Sequence, residues 1–319
     1  MMSLCEIRVP TYRRPRLLER ALRSLQAQTR QDWVALVMDD SPAQDGRDIV
    51  IKLNDPRIQY RPNQNRLGCA GNLDQAFATP AYAGAAFACV LEDDNWYFPK
   101  FLAANIQALE QRGLSILMRN QQIFLEDTEL APVESSATTR GGVFTEGVVP
   151  ILRLRASMFF CTGISNGGLF WRTTARTSFQ VGPEVKTSPM QEFCRTIMVS
   201  EPAYFAAEPL AAFSRSPETT REPLANRSFN RGRQTIWRRL IKAHGQDLVE
   251  EARRLAQTPE MHEQIKAALC DVLALSYLPV GEWSLKQVGK GIAKIVTIPD
   301  PLADFWRVKG FHGLASAVA

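Results

Sequence analysis

The sequence lacks the short motifs by which many nucleotide- and metal-binding proteins are recognised. Neither a GxGxxG fingerprint nor a GxxxxGK[ST] loop occurs in its 319 residues, which excludes the usual modes of binding NAD and ATP. Its six cysteines are never in CxxC spacing, so neither a zinc site nor a redox motif is indicated. Several of them lie in apolar runs, as reduced core cysteines of a cytoplasmic protein do.

Long apolar runs and a strong charge bias are missing as well. No stretch of 18 apolar residues exists, so we expect no membrane-spanning helix. The sequence enters a strand-like segment almost at once, so we expect no signal peptide and a cytoplasmic location. The net charge of +5 permits an anionic partner, but it does not call for a nucleic acid, and we expect none.

Strand and helix signals alternate through the first third of the chain. Apolar runs and helical periodicity predict strands at 6–10, 33–38, 58–61 and 85–91, and helices at 16–28, 49–53, 71–78 and 99–111. This alternation predicts an α/β fold with an open, mostly parallel central sheet flanked by helices.

The remainder of the chain has a different pattern. Segments 114–119 and 122–125 are strand-like, whereas 133–142 is polar and predicts an exposed loop. From about residue 234 the apolar period is mainly helical. We expect one domain in two halves, residues 1–115 and 116–230, followed by a helical region at 231–319.

Three predicted strand ends carry distinctive residues: Pro10-Thr11-Tyr12, Asp39-Asp40 and Glu92-Asp93-Asp94-Asn95. In open α/β sheets, ligands bind at the carboxyl ends of the strands. Adjacent carboxylates repel one another, and a divalent cation that also binds substrate phosphates would compensate them. A solvated turn that leads into a helix is the alternative for each acidic cluster taken alone.

Three ordered segments, PTYRRPRLLERALRSLQAQT, DWVALVMDDSP and EDDNWYFPKFL, resemble the inverting family 2 glycosyltransferases of GT-A fold, in particular the spore-coat polysaccharide type. The resemblance is strong over about residues 5–110, weak over 115–230 and absent beyond. It implies a Rossmann-like domain whose first half binds a nucleotide-sugar donor, with UDP favoured. The second half would bind a saccharide or glycolipid acceptor, and Mg²⁺ or Mn²⁺ would be the cofactor.

The resemblance also implies roles for the residues at the first two strand ends. Pro10 and Thr11 would line the base and ribose pocket, and Tyr12 would stack on the base. Asp40 would hydrogen-bond the edge of uracil or thymine. Arg14 is a further candidate for contact with the nucleotide sugar.

At the third strand end, the resemblance makes Asp94 the metal ligand and places Asp93 against the ribose or the sugar. One departure is that Gly71 stands where many relatives carry an arginine. Arg66 is then a candidate for the diphosphate or the sugar, with a solvated loop arginine as the alternative. In the later basic stretch, Arg215 and Arg221 are candidates for a segment that closes on the diphosphate.

Inverting transfer needs a general base, and PMQEFCRTIM is the segment most similar to the one that supplies it in the family. Glu192 would be the base, supported by Gln191 or Arg195, with Glu184 the next choice. A surface glutamate that opens an amphipathic helix is the alternative. The segment SNGGLFWR resembles the glycine-rich stretch near the donor sugar. Its formal GxSxG match precedes a predicted strand, which argues against a hydrolase elbow.

Basic and apolar residues alternate in the last part of the chain. The basic residues are Lys286, Lys290, Lys294, Arg307 and Lys309, and the apolar ones are Leu285, Val288, Ile292, Ile295, Val296, Phe305, Trp306 and Phe311. Such a segment could cover the core or form a homodimer contact, which we favour. It could also dock peripherally on an anionic membrane, at its inner face.

Two other functions remain open on the sequence. One is a catalytically silent nucleotide-sugar-binding protein of the same fold, although the intact EDDN segment argues against it. The other is a nucleotidyltransferase, whose GxGTRxxP-like loop is missing from the first strand end.

Overall fold

The computed structural model describes residues 3–78, 84–126, 131–215 and 227–309. Arg221 and Phe311, both named above, lie outside the described residues. The chain divides into two units. The first comprises Met1–Val149, Ile164–Pro183 and Glu201–Thr220, and the second comprises Pro150–Gly163, Glu184–Ser200 and Arg221–Ala319.

The first unit contains a sheet and four helices within the described ranges. The strands are β1 Cys5–Thr11, β2 Trp33–Asp39, β3 Ile58–Pro62, β4 Phe87–Val90, β5 Trp96–Tyr97, β6 Ile116–Leu125, β7 Val133–Thr138, β8 Gly147–Val149, β9 Leu169–Arg172 and β10 Ala203–Arg215. The helices are α1 Pro15–Gln26, α2 Gly46–Leu53, α3 Gly68–Gln75 and α4 Phe101–Arg112. The strand order is β3-β2-β1-β4-β9-β6-β10-β5, with β7 beside β6 and β8 beside β10.

The predicted α/β sheet flanked by helices is confirmed. It is parallel over β3-β2-β1-β4 and mixed beyond, where β9 runs antiparallel to both of its neighbours. Parallel strands need a crossover connection of a dozen or more residues. The chain between β6 and β7 is shorter than that, and these two strands pair antiparallel.

Helix α1 shows why the secondary structure of the first third could be predicted from the sequence. Pro15 stands in its first turn, which proline tolerates because the N–H there has no intrahelical partner. Its buried residues recur at helical spacing: Leu17, Leu18, Ala21, Leu22 and Leu25. Most of them join the core formed with β1, β2 and β4. This packing fixes the start of α1 just beyond the carboxyl end of β1.

The middle third contains one corrected expectation. Residues 133–142 were expected to form an exposed loop, but Val133–Thr138 is an edge strand that pairs with β6. Its side chains are largely exposed and mostly polar, so the apolar pattern that would predict a strand is missing. The two predicted strands at 114–119 and 122–125 are one strand, β6. Arg119 within it is buried and donates from Nε to Asn105 Oδ1 at 2.8 Å.

The second unit is helical, which confirms the predicted C-terminal helical region. Its helices are α5 Ile151–Ala156, α6 Ser188–Met198, α7 Arg227–Leu255, α8 Pro259–Asp271, α9 Leu285–Thr297 and α10 Ala303–Lys309. Helix α7 bends at Gly245, whose φ of 54° is in the left-handed region that glycine accepts. Buried Gln234 on α7 donates to the carbonyl oxygens of Asp271, at 2.6 Å, and Gly291, at 3.1 Å. Among the described residues, no helix is long and apolar enough to cross a membrane.

Candidate active site

The carboxyl ends of β1 and β4 bring the first and third sequence motifs together. The two strands are adjacent and parallel, so the residues that follow them lie at the same edge of the sheet. Thr11 Oγ1 donates to Asp93 Oδ2 at 2.8 Å, and the backbone N–H of Tyr12 reaches the same oxygen at 3.4 Å. Residues 82 positions apart in sequence are thereby joined by side-chain hydrogen bonds.

Arg14 lies between the two carboxylates of the acidic turn. Its Nη1 is 3.3 Å from Asp93 Oδ1 and 3.4 Å from Asp94 Oδ2. Burial opposes the charge of the Arg14 guanidinium, but the two carboxylates outweigh it and raise the pKa of Arg14 above its ordinary value. Arg14 immediately precedes α1, so the packing of that helix holds it at this edge.

Arg14 does not outweigh the effects that oppose ionisation of Asp93. Burial, and next the neighbouring Asp94 carboxylate, raise the pKa of Asp93 to about 6, against the opposing effects of Arg14 and Thr11. A buried carboxylate with a second, half-buried carboxylate beside it fits a hard divalent cation. Among the described residues, no group of three or more acidic, histidine or cysteine side chains is placed to hold a metal. The fit is therefore to a cation that takes its remaining ligands from phosphate and water, as Mg²⁺ commonly does.

A buried polar network supports the acidic turn from behind. Arg20 on α1 donates from Nη2 to the backbone oxygen of Asp94 at 2.7 Å and from Nη1 to Glu126 Oε1 at 2.5 Å. Ser214 donates from Oγ to the same Glu126 oxygen at 2.7 Å, and its N–H donates to Asn95 Oδ1 at 2.9 Å. No sequence motif marks Arg20, Glu126 or Ser214, because their partners are distant along the chain.

The glycine-rich segment also packs against the acidic turn. A Cβ on Gly167 would lie 3.0 Å from Gln121 Nε2, 3.6 Å from Asn95 Nδ2 and 3.6 Å from Glu92 Oε2. A side chain at this position would therefore crowd Gln121. The strand β9 follows at Leu169, as predicted, so the GxSxG match is not a nucleophile elbow.

Asp40 is buried, and its carboxylate is used within its own loop. Oδ1 accepts from the backbone N–H of Leu67 at 2.8 Å and from Asn63 Nδ2 at 3.0 Å, and Oδ2 accepts from the N–H of Gly68 at 2.9 Å. These contacts hold the turn that begins α3 and carries Arg66. The edge of a base, which the resemblance implies as a partner of Asp40, stays a prediction.

Tyr12 is half-buried between two guanidinium groups. The guanidinium carbons of Arg13 and Arg66 lie 5.2 Å and 5.1 Å from the centre of its ring. Pro10 is buried in β1 opposite Met38, beyond the residues that pair with β4, so its missing N–H costs no bond to that strand. Together Tyr12 and Arg66 form an aromatic and cationic surface beside the acidic turn.

Glu192 belongs to the second unit, where it is half-buried on α6. Its neighbours on the helix are fixed. Gln191 donates from Nε2 to the carbonyl oxygen of Val185 at 3.1 Å, and the fully buried Arg195 donates to Gln191 Oε1 at 3.4 Å. These contacts set the rotation of α6 within this unit and with it the direction of Glu192.

Comparison with known proteins finds a family match for the first half of the chain. Residues 6–163 match the family model described as Glycosyl transferase family 2. This confirms the predicted resemblance at the level of the family, and it does not single out the spore-coat type.

Two curated relatives agree with the family match. The chain is 27% identical over 120 residues to UDP-Glc:alpha-D-GlcNAc-diphosphoundecaprenol beta-1,3-glucosyltransferase WfgD of Escherichia coli, over 38% of this chain and 46% of the relative. It is 37% identical over 119 residues to GalNAc(5)-diNAcBac-PP-undecaprenol beta-1,3-glucosyltransferase of Campylobacter jejuni, over 35% of each protein. The chain therefore spans less than half of the length of either relative.

Solved structures support the fold. The crystal structure of S. aureus TarS superposes with a TM-score of 0.54 at 15% identity, over 95% of this chain and 54% of TarS. The structure of TarS 1-349 in complex with UDP-GlcNAc gives a TM-score of 0.53 at 14% identity, over 96% and 92% of the two chains. At this level of identity the likeness concerns the fold alone.

Proposed function

From the premise that residues 6–163 form a glycosyl transferase family 2 domain, we propose that the protein transfers a sugar from a UDP-sugar to a polyprenyl-diphosphate-linked saccharide, with inversion. The names of the two curated relatives support this acceptor class, and that of the Escherichia coli relative supports the donor. The resemblance to the spore-coat polysaccharide type does not identify the acceptor more closely than this class.

The observation that carries the proposal is the pairing of buried Asp93 with half-buried Asp94 beside Thr11, Tyr12 and Arg14. Nucleotide-diphosphate donors combine an aromatic base with a highly charged diphosphate. Tyr12 offers a stacking face for the base, and Arg14 and Arg66 offer cationic groups for phosphate oxygens.

Asp94, with Asp93 beside it, is the proposed holder of Mg²⁺ or Mn²⁺. Bound there, the cation would stabilise the negative charge of the departing diphosphate. Because the Asp93 and Asp94 carboxylates already share Arg14, we propose that this arginine turns from them toward the phosphate when donor and cation are present.

Transfer is a single displacement. The acceptor hydroxyl oxygen forms a bond to the anomeric carbon while the bond from that carbon to the diphosphate oxygen breaks, and UDP leaves with the electron pair. The hydroxyl proton passes to a carboxylate, for which we propose Glu192. Asp40 keeps the Arg66 turn in place, and Arg20 keeps the Asp94 turn in place.

The test separates donor binding from transfer. UDP release from UDP-glucose, UDP-GlcNAc and UDP-galactose is measured with Mn²⁺ and undecaprenyl-diphosphate-linked N-acetylhexosamine acceptors. Removing a general base typically lowers the rate about 10²–10⁴-fold. Glu192→Gln is expected to bind UDP with the affinity of the unsubstituted protein, and its rate of sugar transfer should fall by this factor. Glu184→Gln should keep the transfer rate of the unsubstituted protein. If Glu192→Gln retains transfer, the base is elsewhere. If no UDP-sugar is used and UDP does not bind, the proposed activity is wrong.

A further inference from the structure

Helix α9 is attached to the second unit by its small and polar face. A Cβ on Gly291 would lie 2.2 Å from the carbonyl oxygen of Asp271, so only glycine lets α9 approach α8 this closely. The side chains of Lys294, at 2.6 Å, and Gln287, at 3.2 Å, bind Asp271 Oδ1. These contacts fix which side of α9 faces the protein.

The strongly apolar side of α9 is exposed as a consequence. Leu285 and Val296 are 80% and 78% exposed, and Ile292 between them is also exposed. Just before the helix, Val280 is 77% exposed and Trp283 is exposed too. An amphipathic helix of a globular protein normally turns its apolar stripe toward the core. Here that stripe faces outward within the described part of the unit.

The charges beside this stripe select its partner. Lys286 and Lys290 are exposed along one edge of the stripe, and Leu285–Thr297 contains no aspartate or glutamate. A second copy of the chain would present the same patch, because a two-fold contact is self-complementary. Helix α9 has no carboxylate to pair with these lysines, and Glu282, just before the helix, already lies 3.6 Å from Lys266. The phosphates of an anionic bilayer provide both the negative charge and the apolar interior.

We propose that Val280–Thr297 is a docking surface for an anionic lipid bilayer. Helix α9 lies in the plane of the interface, with Leu285, Ile292 and Val296 among the acyl chains and the two lysines at the headgroups. Trp283 has the apolar ring and polar N–H that suit this boundary. The proposal goes beyond glycosyl transfer and does not depend on it, since docking needs neither donor nor cation.

Vesicle flotation of the full chain tests the proposal. The vesicles are pure phosphatidylcholine, or phosphatidylcholine with one third phosphatidylglycerol. The variants are Leu285→Gln with Val296→Gln, and Lys286→Gln with Lys290→Gln. Ile51→Gln is the matched control, because Ile51 is an exposed hydrophobic residue of the first unit.

The unsubstituted chain and Ile51→Gln are expected to float with the anionic vesicles alone. The apolar double variant should lose about tenfold or more in partitioning, and the lysine double variant about fivefold per lysine. All variants should keep the melting temperature, because the replaced side chains are exposed. The proposal is overturned if the chain does not bind anionic vesicles, or if the apolar variant binds as well as the control. It is equally overturned if that variant instead abolishes a dimer seen by sedimentation velocity.

Discussion

Arg20 donates a hydrogen bond from Nη2 to the backbone carbonyl oxygen of Asp94 over 2.7 Å. The same guanidinium pairs with Glu126 and stacks on Trp96, whose ring centre is 4.2 Å from the guanidinium carbon. Arg20 therefore holds the backbone of the proposed cation ligand, while its own side chain is engaged by Glu126 and Trp96. Groups that orient a metal ligand in this way commonly contribute 10–100-fold to metal affinity.

We expect Arg20→Met to raise the Mn²⁺ concentration needed for half-maximal donor turnover by about tenfold or more. Turnover at saturating Mn²⁺ should fall less, because the Asp94 carboxylate itself is retained. The measurement is initial rate against Mn²⁺ concentration. Arg23→Met is the matched control, since Arg23 is on the same helix and forms an exposed pair with Glu19. An equal response to Mn²⁺ in Arg20→Met and Arg23→Met would remove the positioning role of Arg20.

The acidic pair has a cost in stability at neutral pH. The pKa of Asp93 is raised from 3.8 to about 6, so the folded state holds a proton that the unfolded state has already released between these values. The free energy of unfolding attributable to Asp93 therefore falls as pH rises from about 4 to about 6 and stays low above that. Asp94→Asn removes the repulsion. We expect it to raise the melting temperature at pH 7.5 relative to the unsubstituted protein, with a smaller difference at pH 4, in the absence of divalent cations.

Asp55 is the matched control, because its pKa is shifted in the opposite direction from that of Asp93. The side-chain hydrogen bond from Arg57 is the main cause that lowers the pKa of Asp55 from 3.8 to about 2, so its contribution to stability is present above 3.8 and lost as pH falls toward 2. Asp55→Asn should lower the melting temperature at pH 7.5. Thermal unfolding of both variants across pH 4–8 measures this. A lower melting temperature in Asp94→Asn at pH 7.5 would contradict the assigned repulsion.

The variant Asp40→Asn tests whether Asp40 stabilises the loop before α3 or hydrogen-bonds the base of the nucleotide. The amide retains one acceptor oxygen, so one of the two N–H groups of Leu67 and Gly68 loses its partner. A lost buried bond to a charged group corresponds to a lowering of the melting temperature by about 4–8 °C. We expect affinities for UDP, CDP and GDP to fall by the same factor in calorimetry. Asp48→Asn, at an exposed position on α2, should change neither quantity.

If Asp40→Asn weakens binding of UDP alone, Asp40 contacts the base and its loop bonds are secondary. A uniform loss across the three nucleotides supports the positioning role inferred from its contacts with the Asn63–Gly68 turn.

The strand and helix pattern of the first third was predictable because each element is specified locally. Apolar periodicity marks α1, and uninterrupted apolar runs mark β2 and β4. The approach of Thr11 to Asp93 followed from topology, since adjacent parallel strands end at one edge of a sheet.

The network behind the acidic turn was not predictable, because its bonds join distant residues. Arg20 and Glu126 are 106 residues apart, and neither stands in a motif. Polar Arg119, Asn120 and Gln121 interrupt the apolar pattern of β6, and their partners come from other elements. The period of α9 predicted two unlike faces, but the close contact at Gly291 decides which one is exposed.

The most direct test of the central claim is calorimetric titration of UDP into the unsubstituted protein and into Asp94→Ala, each with Mn²⁺ and with a chelator. The account predicts that Mn²⁺ tightens UDP binding to the unsubstituted protein by about tenfold or more, and that Asp94→Ala binds UDP equally weakly in both conditions. Equal UDP affinity of the unsubstituted protein with Mn²⁺ and with chelator, or a full Mn²⁺ effect in Asp94→Ala, would contradict a cation–diphosphate site at the Asp93–Asp94 pair.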